Sequence, residues 1–309
     1  MPEEITRDAI SAAAGRIAPY SRKTPVLELP PGTFGLPCPL VLKLEHHQRS
    51  GSFKSRGAYN LLLARDVPPA GVVAASGGNF GLAIAEAATT LGIPATIFVP
   101  EAIAPAKLAH FQPYHATLNV VPGFYADALA ASQRFVETSG ALLAHAYDLP
   151  EVVAAAGTIG LELEDQAPGI DTIIVAVGGG GLIGGIASWF RGERSVVGVE
   201  TYGTATLHSA LLHRKPVDVE ISGIAADALG AGKVGAIGFR AASRWAVASY
   251  LVSDEALIQA RRALWDEVRV LCEPAAAAPL AALLQGVYAP EPGERVCLVV
   301  CGANGSTVL

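Results

Sequence analysis

The feature that most constrains this chain is the apolar run Ile173-Ile174-Val175-Ala176-Val177 leading into Gly178-Gly179-Gly180-Gly181. An unbroken apolar run of this length reads as a strand buried on both faces, the kind that parallel sheets contain. Consecutive glycines carry a large backbone entropy cost, so a chain keeps them where something must approach the main chain closely. After Leu182-Ile183-Gly184-Gly185 the stretch Ile186-Ala187-Ser188-Trp189-Phe190 reads as helix. A strand, a glycine loop and a helix start together offer free N–H groups and a positive dipole end, and a phosphate is the natural occupant.

Alternation of apolar strands with helical stretches extends this pattern along the chain. Residues 71–75, 95–100, 141–146, 173–177, 196–200 and 295–301 read as strands, 125–138 as a helix, and the alanine-rich 275–285 as a closely packed helix. That is the α/β order of parallel sheets flanked by helices. With 309 residues and 51% hydrophobic content, the chain can bury a core large enough for one or two domains. No linker tract, repeat or low-complexity segment interrupts it.

No apolar stretch reaches the roughly 18 residues of a membrane span, and the opening Met1-Pro2-Glu3-Glu4 is unlike a basic secretory leader, so a cytoplasmic location is expected. The cysteines Cys38, Cys272, Cys297 and Cys301 suggest no disulfide framework. A net charge of −6 without a lysine or arginine cluster argues against nucleic-acid or anionic-membrane partners.

Two further segments carry chemistry. Lys54 lies in Gly51-Ser52-Phe53-Lys54-Ser55-Arg56-Gly57-Ala58, after the apolar Leu40-Val41-Leu42-Lys43-Leu44. A lysine becomes a Schiff-base nucleophile when desolvation lowers its pKa, and small neighbours leave room for a carbonyl group. Ser76-Gly77-Gly78-Asn79-Phe80-Gly81 links the strand-like 71–75 to the helix-like 82–88 and forms a second candidate anion site. A competing reading takes Gly179, Gly181 and Gly184 as a G-x-G-x-x-G dinucleotide fingerprint with Glu200 as the ribose-binding carboxylate of an NAD(P)-dependent dehydrogenase. It leaves Lys54 and the 76–81 loop without a role.

Taken together, these residues resemble the fold type II pyridoxal-phosphate enzymes, in particular the serine/threonine dehydratase and serine racemase branch. The resemblance runs through Thr24-Pro25-Val26, Ser52-Phe53-Lys54, Ser76-Gly77-Gly78-Asn79, Gly157-Thr158-Ile159-Gly160-Leu161-Glu162, Gly178 to Leu182, Glu273-Pro274-Ala275 and Cys301-Gly302-Ala303-Asn304. It implies pyridoxal 5'-phosphate held covalently by Lys54 as a Schiff base, with its phosphate on Gly178, Gly179, Gly180, Gly181 and Leu182. It implies a substrate carboxylate on Ser76, Gly77, Gly78, Asn79 and Phe80. Phe53 would pack on the pyridine ring, Asn79 would donate to its phenolic oxygen, Cys301 would stand beside its nitrogen, and Glu273 would lie near the cofactor.

The implied fold is that of the tryptophan synthase β-like enzymes: a large cofactor-binding domain of 1–70 and 147–309, and a small mobile domain of 71–146, with the cofactor between them. The implied reaction is β-elimination from L-threonine or L-serine, in which the Lys54 amine takes the α-proton. The hydroxyl departs with help from the cofactor phosphate, and an aminoacrylate hydrolyses to a 2-oxo acid and ammonia.

Departures from the family pattern refine this. Serine racemases carry a serine where this chain has Gly77, which favours elimination over racemisation. Phe80 replaces a histidine common in dehydratases, and Ser55 an aspartate common in sulfhydrylases and threonine synthases. Glu200 with Thr204 and Thr206 is a candidate structural cation site. His46 and His47, expected to point apart on a strand, are read as structural. Relatives are often homodimers, and the chain's end at Leu309 implies no C-terminal regulatory domain. Racemisation, another β-replacement or β-elimination, and a cofactor-binding protein without activity remain the alternatives.

Overall fold

The computed structural model describes residues 4–305, so Met1 to Glu3 and Leu309 of the expectations above lie outside the described residues. One sheet has six strands: β1 (Val26–Leu29), β2 (Leu40–Lys43), β7 (Thr172–Ala176), β8 (Ser195–Thr201), β9 (Ala248–Val252) and β10 (Val296–Val299). The other has four: β3 (Val72–Ala75), β4 (Ala95–Pro100), β5 (Ala116–Val121) and β6 (Leu142–Ala144). Their orders are β1-β2-β10-β7-β8-β9 and β5-β4-β3-β6, and every pairing is parallel except β1 with β2.

The helices are α1 (Arg7–Ile17), α2 (Lys54–Ala64), α3 (Asn79–Leu91), α4 (Pro105–Ala109), α5 (Tyr125–Ser139), α6 (Pro150–Gln166), α7 (Gly181–Phe190), α8 (Thr206–His213), α9 (Ala226–Leu229), α10 (Ala236–Arg244), α11 (Asp254–Val268) and α12 (Ala278–Leu284). The central strands β2, β7 and β10 are buried along their whole length, which is why their sequences are continuous apolar runs rather than alternating ones.

Each sheet has its own apolar core. Ile173, Ile174, Val175 and Leu298 belong to the larger, and Val72, Ala74, Ile97 and Ile84 to the smaller. Helix α2 contributes Ala58, Tyr59, Leu61 and Leu62 to the smaller core, so the segment that begins with Lys54 packs on α3.

An ion-pair network holds the start of α2 in place. Arg56 is 1% exposed, and its guanidinium donates to both oxygens of the fully buried Glu45 at 2.8 Å and to both oxygens of Glu162 at 2.6 and 2.9 Å. Lys43, also fully buried, donates to Glu162 at 2.5 Å, Gln166 at 2.7 Å and the Thr24 carbonyl at 2.9 Å. Each charge therefore has several partners, as burial requires.

His46 and His47 do not lie on a strand. They form a single 3-10 turn over Glu45–His47, and their rings sit 4.3 Å apart between centroids instead of on opposite faces. The apolar run that suggested a continuing strand ends when the chain turns at Leu44, whose φ and ψ are −89° and 65°.

Candidate active site

Three helix N-termini meet in one cleft. Lys54 is the first residue of α2, Asn79 the first of α3, and Gly181 the first of α7. A cavity of about 680 Å³ is lined by Lys54, the Ser76 to Phe80 loop, Ile103, Tyr147 and Gly179, among others. A second, adjoining cavity is lined by Phe53, Lys54, Asn79, Gly178 to Leu182, Glu273 and Cys301. Lys54, Asn79, Tyr147 and Gly179 border both.

The Lys54 ammonium donates to the Ala146 carbonyl at 2.8 Å and lies 4.9 Å from the Phe53 ring centroid and 5.8 Å from that of Phe80. Burial lowers its pKa from 10.5 to about 8, with Cys301 and Glu273 opposing the shift. A cation at a helix N-terminus is also disfavoured by the dipole. A neutral amine is therefore accessible near physiological pH, which a nucleophile or base requires.

The glycine loop is a cradle with no room for side chains. A Cβ on Gly178 would lie 2.9 Å from Leu229 Cα, on Gly179 2.1 Å from the Tyr147 ring, and on Gly181 3.0 Å from the Tyr147 carbonyl oxygen. Gly180 has φ 85°, in the left-handed region. Gly184 N–H finds the Gly180 carbonyl at 2.9 Å, whereas the N–H groups before it open the helix and have no acceptor within it. Tyr147, which the sequence reading passed over, thus closes the back of this loop.

Glu200 lies behind the cradle rather than in the cavity. Fully buried, it accepts from the N–H groups of Leu207 (2.8 Å) and His208 (2.7 Å) and from the hydroxyls of Thr206 and Ser249 (both 3.0 Å). The Thr206 hydroxyl is shared with the Gly178 carbonyl at 2.5 Å. Glu200 therefore caps α8 and steadies the glycine loop through Thr206. A ribose-binding carboxylate would have to face the ligand, and this one is fully occupied in the interior.

At the other side of the cleft, Asn79 Nδ2 donates to Glu273 Oε1 at 2.8 Å, and Asn79 Oδ1 accepts from Asn304 Nδ2 at 2.9 Å. Burial pushes the Glu273 carboxyl up to about 7 and the Cys301 thiol well above its usual range, so Cys301 is a neutral thiol. In the 76–81 loop, Ser76 Oγ accepts from Gly78 N–H at 3.4 Å, and a Cβ on Gly77 would meet Ile103 Cδ1 at 2.4 Å. Lys107 of α4 and Asp227 of α9 form an ion pair at the cavity wall. No cluster of three or more metal-ligating His, Cys, Asp or Glu side chains occurs among the described residues. No helix among them is long and apolar enough to cross a membrane.

A low-pKa lysine, a side-chain-free anion cradle, an amide donor, a neutral thiol and an aromatic face together suit an aromatic aldehyde that carries a phosphate. Comparison with known proteins agrees: residues 17–302 match the family described as pyridoxal-phosphate dependent enzyme, and the chain belongs to it. Among its relatives, an L-threonine ammonia-lyase of Geobacter sulfurreducens is 35% identical over 300 residues, covering 96% of this chain and 74% of that protein. The solved threonine deaminase of T.th. superposes with a TM-score of 0.89 at 32% identity, covering 98% of this chain and all of the other. Maize serine racemase superposes equally well, TM-score 0.89 at 29% identity, over 98% of this chain and 94% of its own. The fold is that of the fold type II enzymes, parallel sheets flanked by helices, and the protein is a pyridoxal-phosphate-dependent enzyme.

Proposed function

We propose that the chain is a dehydratase that converts L-threonine or L-serine into a 2-oxo acid and ammonia by β-elimination. The observation that carries this reading is one amine of lowered pKa, Lys54, bordering the same cleft as the Ser76 to Phe80 loop and the Gly178 to Leu182 cradle. Pyridoxal phosphate, when bound, withdraws electrons from the bonds at the substrate α-carbon. The chain's own residues do the rest.

Gly178 to Leu182 would hold the cofactor phosphate with backbone N–H groups at the start of α7. Phe53 would offer the ring an aromatic face, and the Asn79 amide would donate to its phenolic oxygen. The Cys301 thiol would face the ring nitrogen, and a neutral thiol would leave that nitrogen without a counter-charge, which would favour prompt loss of a β-substituent. Ser76 to Phe80 take the substrate carboxylate with N–H groups at the start of α3. The Lys54 amine then removes the α-proton, a transfer suited to a base with a pKa of about 8. Glu273 acts beside the cofactor.

The segment 71–146 carries the substrate loop as a small unit that moves against 1–70 and 147–309. A cytoplasmic homodimer is part of this reading, and analytical ultracentrifugation of the purified chain checks the stoichiometry. A cation at Glu200 would have to displace hydrogen bonds from Leu207, His208, Thr206 and Ser249, and calcium or magnesium titration followed by thermal melting tests for it.

Racemisation is the second reading, and Gly77 with Ile103 weighs against it. The place a side chain at position 77 would occupy is filled by a hydrocarbon tip, so no hydroxyl is offered there as a second proton carrier. Purified holoenzyme incubated with L-threonine and L-serine should release 2-oxo acid and ammonia in equal amounts. D-serine formed faster than pyruvate would reverse the assignment.

A further inference from the structure

Glu273 borders the smaller cavity and hydrogen-bonds another side chain that lines it, Asn79. Glu273 precedes the short turn Pro274–Ala277, Asn304 follows β10, and Asn79 opens α3, so three distant segments meet at one amide. The orientation of that amide is fixed by a chain of bonds that starts from an unambiguous acceptor. The Ser50 carbonyl can only accept, and it takes a bond from Asn304 Nδ2 at 2.6 Å. The same nitrogen donates to Asn79 Oδ1 at 2.9 Å, which leaves Asn79 Nδ2 facing Glu273 Oε1 at 2.8 Å. A flipped Asn79 would set oxygen against carboxylate and nitrogen against nitrogen.

Two glycines make room for the arrangement. A Cβ on Gly302 would fall 2.5 Å from Glu273 Oε1 and 3.2 Å from Asn79 Nδ2, and one on Gly51 would fall 2.5 Å from Asn304 Oδ1. Gly302 also accepts the Glu273 N–H at 3.1 Å, which anchors the carboxylate's own backbone.

We infer that Glu273 is a positioning residue for the cofactor: with Asn304 it clamps the Asn79 amide so that one Asn79 N–H stays aimed at an acceptor in the cleft. The inference rests on the proposed cofactor chemistry and adds to it a residue that acts through the Asn79 amide. Asn79 Nδ2 has two protons, one spent on Glu273, and Asn79 borders both cavities with the other available. Placing the acceptor on the charged side of the clamp also makes the clamp titratable. The Glu273 carboxyl is raised to about 7, chiefly by burial with Asp227 adding to the rise, against the opposing pull of Asn79, Lys107 and the Asn304 N–H. Lys54, Cys301 and Cys272 are the other ionisable groups that sense this carboxylate.

The test is a double-variant cycle on affinity of the cofactor-free chain for pyridoxal phosphate, read by fluorescence titration with no turnover involved. Glu273→Ala and Asn79→Ala should each weaken binding by roughly ten- to a hundred-fold, the scale of losing a charge-assisted hydrogen bond. Glu273→Ala should add nothing in the Asn79→Ala background, because its effect runs through that amide. Glu273→Gln keeps an acceptor for Asn79; it should recover most of the affinity and lose the pH dependence near 7 shown by the wild type. Thermal melting of each variant checks folding, and Glu273→Gln carries the test if the alanine variant does not fold.

Full multiplication of the two single effects would overturn the inference, as would an unchanged pH dependence in Glu273→Gln. A wild-type chain that binds pyridoxal phosphate covalently while the cycle is additive defeats only the positioning role. A chain that binds none defeats the proposed function with it.

Discussion

Replacing Lys54 by methionine should stabilise the cofactor-free protein, and the pH at which that gain disappears tests the physical account of the site. The unfolded lysine titrates at 10.5 and the folded one at about 8, with burial as the cause. Between these values the unfolded chain holds a proton that the folded chain does not. Stability therefore rises as pH climbs from 8 to 10.5, and the cost of the buried ammonium is complete below 8. The full difference is worth about 3 kcal/mol, which water in the open cleft screens to about 2 kcal/mol. Methionine has similar length and no charge, but it forfeits the bond to the Ala146 carbonyl, about 1 kcal/mol. The expected net is a gain of about 1 kcal/mol at pH 7 that vanishes or reverses by pH 10.5. Urea unfolding of cofactor-free wild type and Lys54→Met at both pH values measures it. A difference that does not change with pH would refute the reasoning, because it would mean that Lys54 is as well solvated folded as unfolded.

Gly179→Ala should lower pyridoxal phosphate affinity and cost about 1–3 kcal/mol of stability, since its Cβ would enter the Tyr147 ring; fluorescence titration and thermal melting check both. Arg56→Met should be more damaging than any surface change, about 3–5 kcal/mol by chemical denaturation, because it strands the fully buried carboxylate of Glu45. Gly77→Ser should not yield D-serine from L-serine unless Ile103 is also cut back to alanine, a result read by chiral chromatography.

Apart from the edge strand β6, read at 141–146, the strands that sequence alone revealed and those it did not divide along a physical line. Runs such as 173–177 and 295–301 are legible because β7 and β10 lie inside the larger sheet, where both faces are apolar. Strands β1, β5 and β9 carry no such run, and all three are sheet edges with half-exposed residues. An edge strand needs apolar residues on one face at most, so its sequence resembles a loop. In the site, the two anion loops were legible because each sits where a strand ends and a helix begins, and Lys54 because it opens α2 among small residues. Tyr147 and the partnership of Asn79 with Asn304 were not, since they depend on contacts across the fold, the second spanning 225 positions. Glu200 shows the opposite failure. Its spacing from the glycines imitates a dinucleotide fingerprint, and only its burial shows that it caps α8.

The most direct test of the central claim is the absorption spectrum of the purified protein before and after borohydride, followed by mass mapping of the reduced peptide. The expected result is a violet band that bleaches on reduction and leaves a pyridoxyl phosphate adduct on Lys54. A protein that stays colourless with added pyridoxal phosphate, or an adduct on another lysine, would contradict it.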